Sequence, residues 1–212
     1  MLETRFERVV GDIGNPATFD FPVRYHVVEG ATVDRVVTHT DMQLLEPFVD
    51  GALRLEAQGV DAVTTSCGFL IVFQSHIQAA LSVPFASSAL LLVRPLIERT
   101  GARVGVITAS AAHLSADHLE AAGCPDVVVA GMDDAPAFQQ AIIDQTVPLD
   151  QEAIAAETQA VARELVARDG VDAIVLECTN LAPYRQSLQT HLEIPVSDIT
   201  TLCRSLIRHD RS

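Results

Sequence analysis

Two of the four cysteines in this 212-residue chain stand at matching places in two similar stretches. Cys67 ends the run Gly59-Val60-Asp61-Ala62-Val63-Thr64-Thr65-Ser66-Cys67, and Cys178 ends Gly170-Val171-Asp172-Ala173-Ile174-Val175-Leu176-Glu177-Cys178, at a constant displacement (178 − 67 = 111). The displacement persists downstream, where Val83-Pro84-Phe85-Ala86-Ser87 is answered by Ile194-Pro195-Val196-Ser197-Asp198. Each cysteine follows an apolar run that reads as a buried strand and precedes a stretch of helical period. A thiol in that place lies near the positive end of a helix dipole, which favours thiolate over thiol. The N–H groups of the same helix start can hold a carboxylate. Gly68 and Phe69 supply such groups beside Cys67; Thr179 and Asn180 supply them beside Cys178 and add side-chain donors. Two such units facing one another across a pseudo-twofold axis let one thiolate take a proton from a carbon acid and the opposite thiol return one. That exchange inverts a stereocentre, provided fixed donors in a dry cleft stabilise the planar enolate-like intermediate.

The elements that must position the thiols follow from hydrophobic period. Strands are expected over 8–13, 21–28, 60–65, 83–86, 104–108, 127–130, 171–176 and 195–197. Helices are expected over 41–58, 69–81, 88–100, 112–122, 135–143, 151–168, 181–191 and 199–209. Such alternation is the signature of an α/β fold with parallel sheet. The duplication divides the chain into residues 1–100, carrying Cys67, and 101–212, carrying Cys178, with the closing helix near 199–209 free to pack back on the first half. In open α/β sheets ligands sit beyond the carboxyl ends of the strands, where both cysteines fall.

Composition narrows the functional classes. A net charge of −14 with only 14 Lys and Arg argues against nucleic acid, whose phosphates demand clustered cations. No run of about 18 apolar residues could span a bilayer, and no basic-then-apolar leader opens the sequence, so the expected setting is cytoplasmic, away from membranes. The cysteines show neither CxxC nor Cys/His ligand spacing, and no glycine-rich nucleotide loop follows any strand, so neither metal nor cofactor is expected. Cys124 and Cys203 read as small buried hydrophobes.

In Ser66-Cys67-Gly68 and Glu177-Cys178-Thr179-Asn180 the chain resembles the aspartate/glutamate racemase superfamily, which includes amino-acid and hydantoin racemases, maleate isomerase and arylmalonate decarboxylase. The resemblance implies two flavodoxin-like (Rossmann-like) domains related by a pseudo-twofold axis, a cleft between them holding one thiol from each, and a homodimer or higher homo-oligomer. It adds Asp12 and Asn15, at the end of the first expected strand, and Thr108 and Ser110, at the matching place in the second half, to the substrate-binding set. Relatives acting on acidic amino acids follow the first cysteine with Asn-Thr; here Gly68-Phe69 leaves backbone donors only. Glu177, pointing away from the thiol by strand alternation, is assigned a structural or hydrogen-bonding role.

The function expected from these residues is cofactor-independent racemisation or isomerisation at a carbon next to a carboxylate or imide carbonyl, with Cys67 and Cys178 as opposing acid and base. Two alternatives stand beside it. One thiol acts as nucleophile or proton donor in cis–trans isomerisation or decarboxylation of a small dicarboxylic acid, or the scaffold only binds small acids.

Overall fold

The computed structural model describes residues 1–209. Helix α1 (Leu45–Glu56) leads into β1 (Val63–Thr64), then α2 (Gln74–Ala80), β2 (Phe85–Ala86) and α3 (Val93–Thr100). The second half runs β3 (Val104–Thr108), α4 (Ala116–Ala121), β4 (Val128–Gly131), α5 (Pro136–Phe138), α6 (Gln151–Asp169), β5 (Ala173–Leu176), α7 (Arg185–Leu192), β6 (Val196–Ser197) and α8 (Ile199–His209). Strands β1 and β2 form a parallel pair, and β4-β3-β5-β6 form a four-stranded parallel sheet. This is an α/β fold, as the alternating pattern implies.

The duplication is visible in register. Val63 pairs with Phe85 and Thr64 with Ala86 in the first half, while Ile174 pairs with Val196 and Val175 with Ser197 in the second. Every one of these partners is displaced by the same interval (174 − 63 = 111). The two 3₁₀ turns after the cysteines, Gly68–Phe73 and Thr179–Tyr184, keep it as well, and each runs directly into a helix, α2 and α7 respectively. One continuous cluster of buried apolar residues links both sheets, from Val63, Phe69 and Phe85 through Val106 and Ile107 to Val175 and Leu181. Helix α8 packs against β6 and also against the turn that precedes α3, and its Arg204 Nη2 donates to the Thr18 carbonyl at 2.9 Å. The closing helix therefore does reach back to the first half.

Two expected strands are absent. Residues 8–13 turn sharply: Gly11 has φ +102°, Asp12 accepts the Gly14 N–H in a tight turn, and Val10 is exposed. Gly11 is required there, since a side chain would also strike the Pro183 backbone. Residues 21–28 cross the surface without a ladder, and their pattern misleads because Tyr25 and Val27 face outward instead of into a sheet. In the second half, α6 begins at Asp150, whose carboxylate caps the Ala153 N–H, and ends at Gly170 in the left-handed conformation. Its Leu165 lies over the bare Gly105 of β3, wedging helix to sheet. Replacing Leu165 with Ala should lower unfolding free energy by about 2–5 kcal/mol through loss of burial plus a residual cavity. Urea denaturation followed by circular dichroism measures it; a change below 0.5 kcal/mol would contradict this packing.

Candidate active site

Cys67 and Cys178 line one small cavity of about 20 Å³, together with Ser66, Gly68, Phe69, Glu177, Thr179 and Asn180. The segment before Gly11 adds Leu2, Thr4, Phe6 and Arg8, and Ile142 and Ile143 close another wall. Both thiols are buried. Each cysteine caps the start of a 3₁₀ turn, Cys67 that of Gly68–Phe73 and Cys178 that of Thr179–Tyr184, and the Cys178 thiol also donates to Asn180 Oδ1 at 3.8 Å.

Electrostatics set the resting protonation. Burial, with the Glu177 charge as the next cause, pushes the Cys67 thiol up to about 12. The same two causes, in the same order, raise Cys178 well above its ordinary value. Both rest as thiols, so the helix-start geometry expected to favour thiolate is outweighed by desolvation. Glu177 is itself fully buried, and burial pushes its carboxyl up to about 7, against the lowering effect of hydrogen bonds from Thr108 Oγ1, at 2.7 Å to Oε2, and from the Ala109 N–H.

The expected residues divide into three groups. Ser66, Gly68, Phe69, Thr179 and Asn180 join the cysteines around the cavity, but the side chains of Thr179 and Asn180 are already engaged. Thr179 Oγ1 donates to the Ser66 carbonyl at 2.7 Å, and Asn180 Nδ2 donates to Asp12 Oδ2 at 2.8 Å. Thr179 thus fastens the two cysteine loops to each other, and Asn180 ties the second loop to the turn at Asp12. Asp12 stands behind the wall, paired with Arg8 at 3.1 Å, and so acts through Arg8 and Asn180. Asn15, Thr108 and Ser110 do not line the cavity. Asn15 caps its own turn through the Ala17 N–H and the Arg8 carbonyl; Thr108 holds Glu177; Ser110 donates to Asp133 and contacts His113.

Two residues exceed their sequence-based reading. Glu177 does have the expected hydrogen bond, but it also lines the thiol cavity and opposes ionisation of both cysteines. Arg8 was not among the expected residues. Its guanidinium is half-buried, reaches Asp12 and Thr4, and lies 4.4 Å from the centre of the Phe6 ring. A basic residue four positions before an acidic turn residue, in a chain poor in cations, was the available signal.

Gly68 is glycine because of Glu177: a methyl group at 68 would overlap Oε1 and lie 2.7 Å from the Glu177 carbonyl oxygen. A side-chain amide after the first cysteine has no room here. Gly68→Ala should therefore cost about 1–3 kcal/mol by overpacking, read by thermal and urea melts; an unchanged midpoint would show that the two loops are not in contact. Glu177 also predicts a pH signature. Its folded-state pKa, about 7, exceeds the ordinary 4.5. The folded protein thus binds the extra proton between those values, and stability falls as pH rises through the window, by about 3 kcal/mol in all. In Glu177→Gln that slope should flatten relative to wild type; equal slopes for the two proteins would refute a buried, proton-retaining carboxyl.

Residues 24–204 match the family model described as Asp/Glu/Hydantoin racemase. Dimethylsulfoniopropionate lyase 3 of Emiliania huxleyi (strain CCMP1516) is 26% identical over 97% of this chain and 57% of its own length, so the chain spans little more than half of that relative. A dimethylsulfoniopropionate lyase of Durusdinium sp. clade D is likewise 26% identical, over 98% of the chain and 72% of its own length. Among solved structures, a Gly74Cys mutant of arylmalonate decarboxylase superposes with a TM-score of 0.61 at 17% identity, covering 94% of this chain and 88% of its own. Allantoin racemase from Pseudomonas fluorescens gives 0.61 at 20% identity over 80% and 71%. These structures share its fold, and with the family model spanning most of its length the chain belongs to the Asp/Glu/hydantoin racemase family.

Proposed function

We propose that this protein is a carbon-acid enzyme in which Cys67 and Cys178 exchange a proton at the carbon next to a carboxylate, with racemisation as the outcome for a substrate that has a stereocentre there. The observation that carries this reading is the repeated placement of the thiols: two buried cysteines, each capping the start of a 3₁₀ turn that runs into a helix, on the walls of one cavity. An acid and a base of the same chemical type on two walls suit removal of a proton from one face and its return from the other. The site lies where the halves 1–100 and 101–212 meet, which we read as two domains of flavodoxin type.

The burden on the site is to make a thiolate where burial disfavours one. The N–H groups of Phe69 and Asn180 stabilise the charge locally, and Arg8 lowers the Cys67 pKa further. Arg8 is also the cation suited to draw the substrate carboxylate into the cavity, a role that the acidic protein surface does not supply.

A second reading shares the first step. The lyase names of relatives that cover nearly the whole chain favour β-elimination. In dimethylsulfoniopropionate a thiolate would take the proton next to the carboxylate, its electron pair would form the carbon–carbon double bond, and the sulfonium sulfur would leave with the C–S electrons as dimethyl sulfide, giving acrylate. Decarboxylation of a malonate and passive binding of small acids are the remaining outcomes of the same test.

The test is proton NMR in deuterated water with enantiomeric amino acids, hydantoins, substituted malonates and dimethylsulfoniopropionate. The expected result is deuterium at the carbon next to the carboxylate, or vinyl signals of acrylate, reduced at least about 100-fold in Cys67→Ser and in Cys178→Ser. Wild-type rates in both variants would exclude thiol acid–base chemistry.

A further inference from the structure

In the second half β5 is an inner strand, with β3 on one side and β6 on the other; its counterpart β1 has β2 on one side and, among the described residues, no strand on the other. Bonds from the Asp172 N–H to the Arg103 carbonyl and from the Glu177 N–H to the Ile107 carbonyl fasten β5 to β3. Their counterparts are the Asp61 and Ser66 N–H groups (172 − 61 = 111; 177 − 66 = 111), and neither has a backbone partner among the described residues. Along that bare edge runs a groove of about 330 Å³, far larger than the thiol cavity. Residues 59–66 form one bank and residues 21–26 the other, much as β5 and β4 flank β3. Leu55 of α1 and Cys203, Leu206 and Ile207 of α8 give it an apolar lining, while its charged members Arg24 and Asp61 are exposed. Free backbone groups along a sheet edge pair readily with another strand. A parallel strand enclosed by neighbours and helices is apolar throughout, as β3 is with all five of its residues buried.

We propose that this groove is a strand-binding site: it takes one extended apolar strand of about five residues, parallel to β1 and leading into Met1, which completes the first sheet in the pattern of the second. The place of Met1 fixes the connection. Met1 lines the groove, and the Leu2 N–H donates to Ser66 Oγ at 3.0 Å, at the carboxyl end of β1. Met1 is the counterpart of Ala112 (112 − 1 = 111), four residues past the end of β3 (112 − 108 = 4), so a strand held against β1 as β3 is held against β5 stops just short of it. The ladder between β1 and β2 then continues across the groove, and residues 21–28, strand-like in pattern and without a ladder, gain a neighbour to pair with. The strand also bears on the thiols. Its bond from the Ser66 N–H positions Cys67 as the bond from the Glu177 N–H to β3 positions Cys178.

The full chain with a ten-residue extension ahead of Met1 that copies Ala102–Ala111 tests this, because the copy sets the β3 sequence at the 111-residue interval. Amide hydrogen exchange followed by NMR should slow at least about tenfold at Asp61 and Ser66 relative to the unextended chain, and the melting temperature should rise. The same extension with Val106→Pro in its copied segment should do neither, since proline cannot join a ladder between two strands. Unchanged exchange at the two amides, an unchanged melting temperature, or equal slowing by both extensions would overturn the assignment. So would protection of these amides in the unextended chain that grows with protein concentration, which would put a second copy in the groove. Neither readout needs a substrate, so the result stands apart from the thiol chemistry.

Discussion

A carboxyl group shut away from water at position 177 constrains nearly everything around the thiols. It needs donors, and Thr108 and the Ala109 N–H at the end of β3 provide them, which fixes how the cysteine-bearing strand β5 sits beside its neighbour. It needs space, and Gly68 provides that by having no side chain, which draws the first cysteine loop against the second. Burial keeps both thiols protonated, and the field of Glu177 adds to that effect. One buried acid thus couples the two sheets, the two loops and the reactivity of the pair.

The paired thiols were legible in the sequence because an internal duplication needs no three-dimensional knowledge to be seen: the 111-residue interval between Cys67 and Cys178 reappears in the pairing of Val63 with Phe85 and of Ile174 with Val196. Buried parallel strands also announce themselves as apolar runs between turns. The early segment was misjudged for a matching reason. Residues 8–13 and 21–28 have strand-like composition, yet a run of valines cannot reveal that Val10 and Val27 face solvent. Polar side chains were harder still. Thr179, Asn180 and Asn15 looked like ligands for substrate, and they bind parts of the protein that lie near in space, in two cases more than 100 residues away. Arg8 was invisible as a site residue until the turn at Gly11 carried it to the cavity.

Polar atoms near the thiols divide into those tied to the protein and those without a partner. Thr179 to Ser66 and Asn180 to Asp12 are spent on the protein itself, whereas Arg8 Nε and Glu177 Oε1 are not.

The strand pairings also bear on how the chain reaches this state. The β1–β2 and β5–β6 pairs each close across 22 residues, as between Thr64 and Ala86 and between Ile174 and Val196, whereas the bond from Thr108 to Glu177 spans 69 and that from Thr179 to Ser66 spans 113. Loop-closure entropy penalises the longer connections before any burial rewards them. Each cysteine therefore belongs to a local unit of its own, and the cavity requires the long-range contacts that bring the two units together.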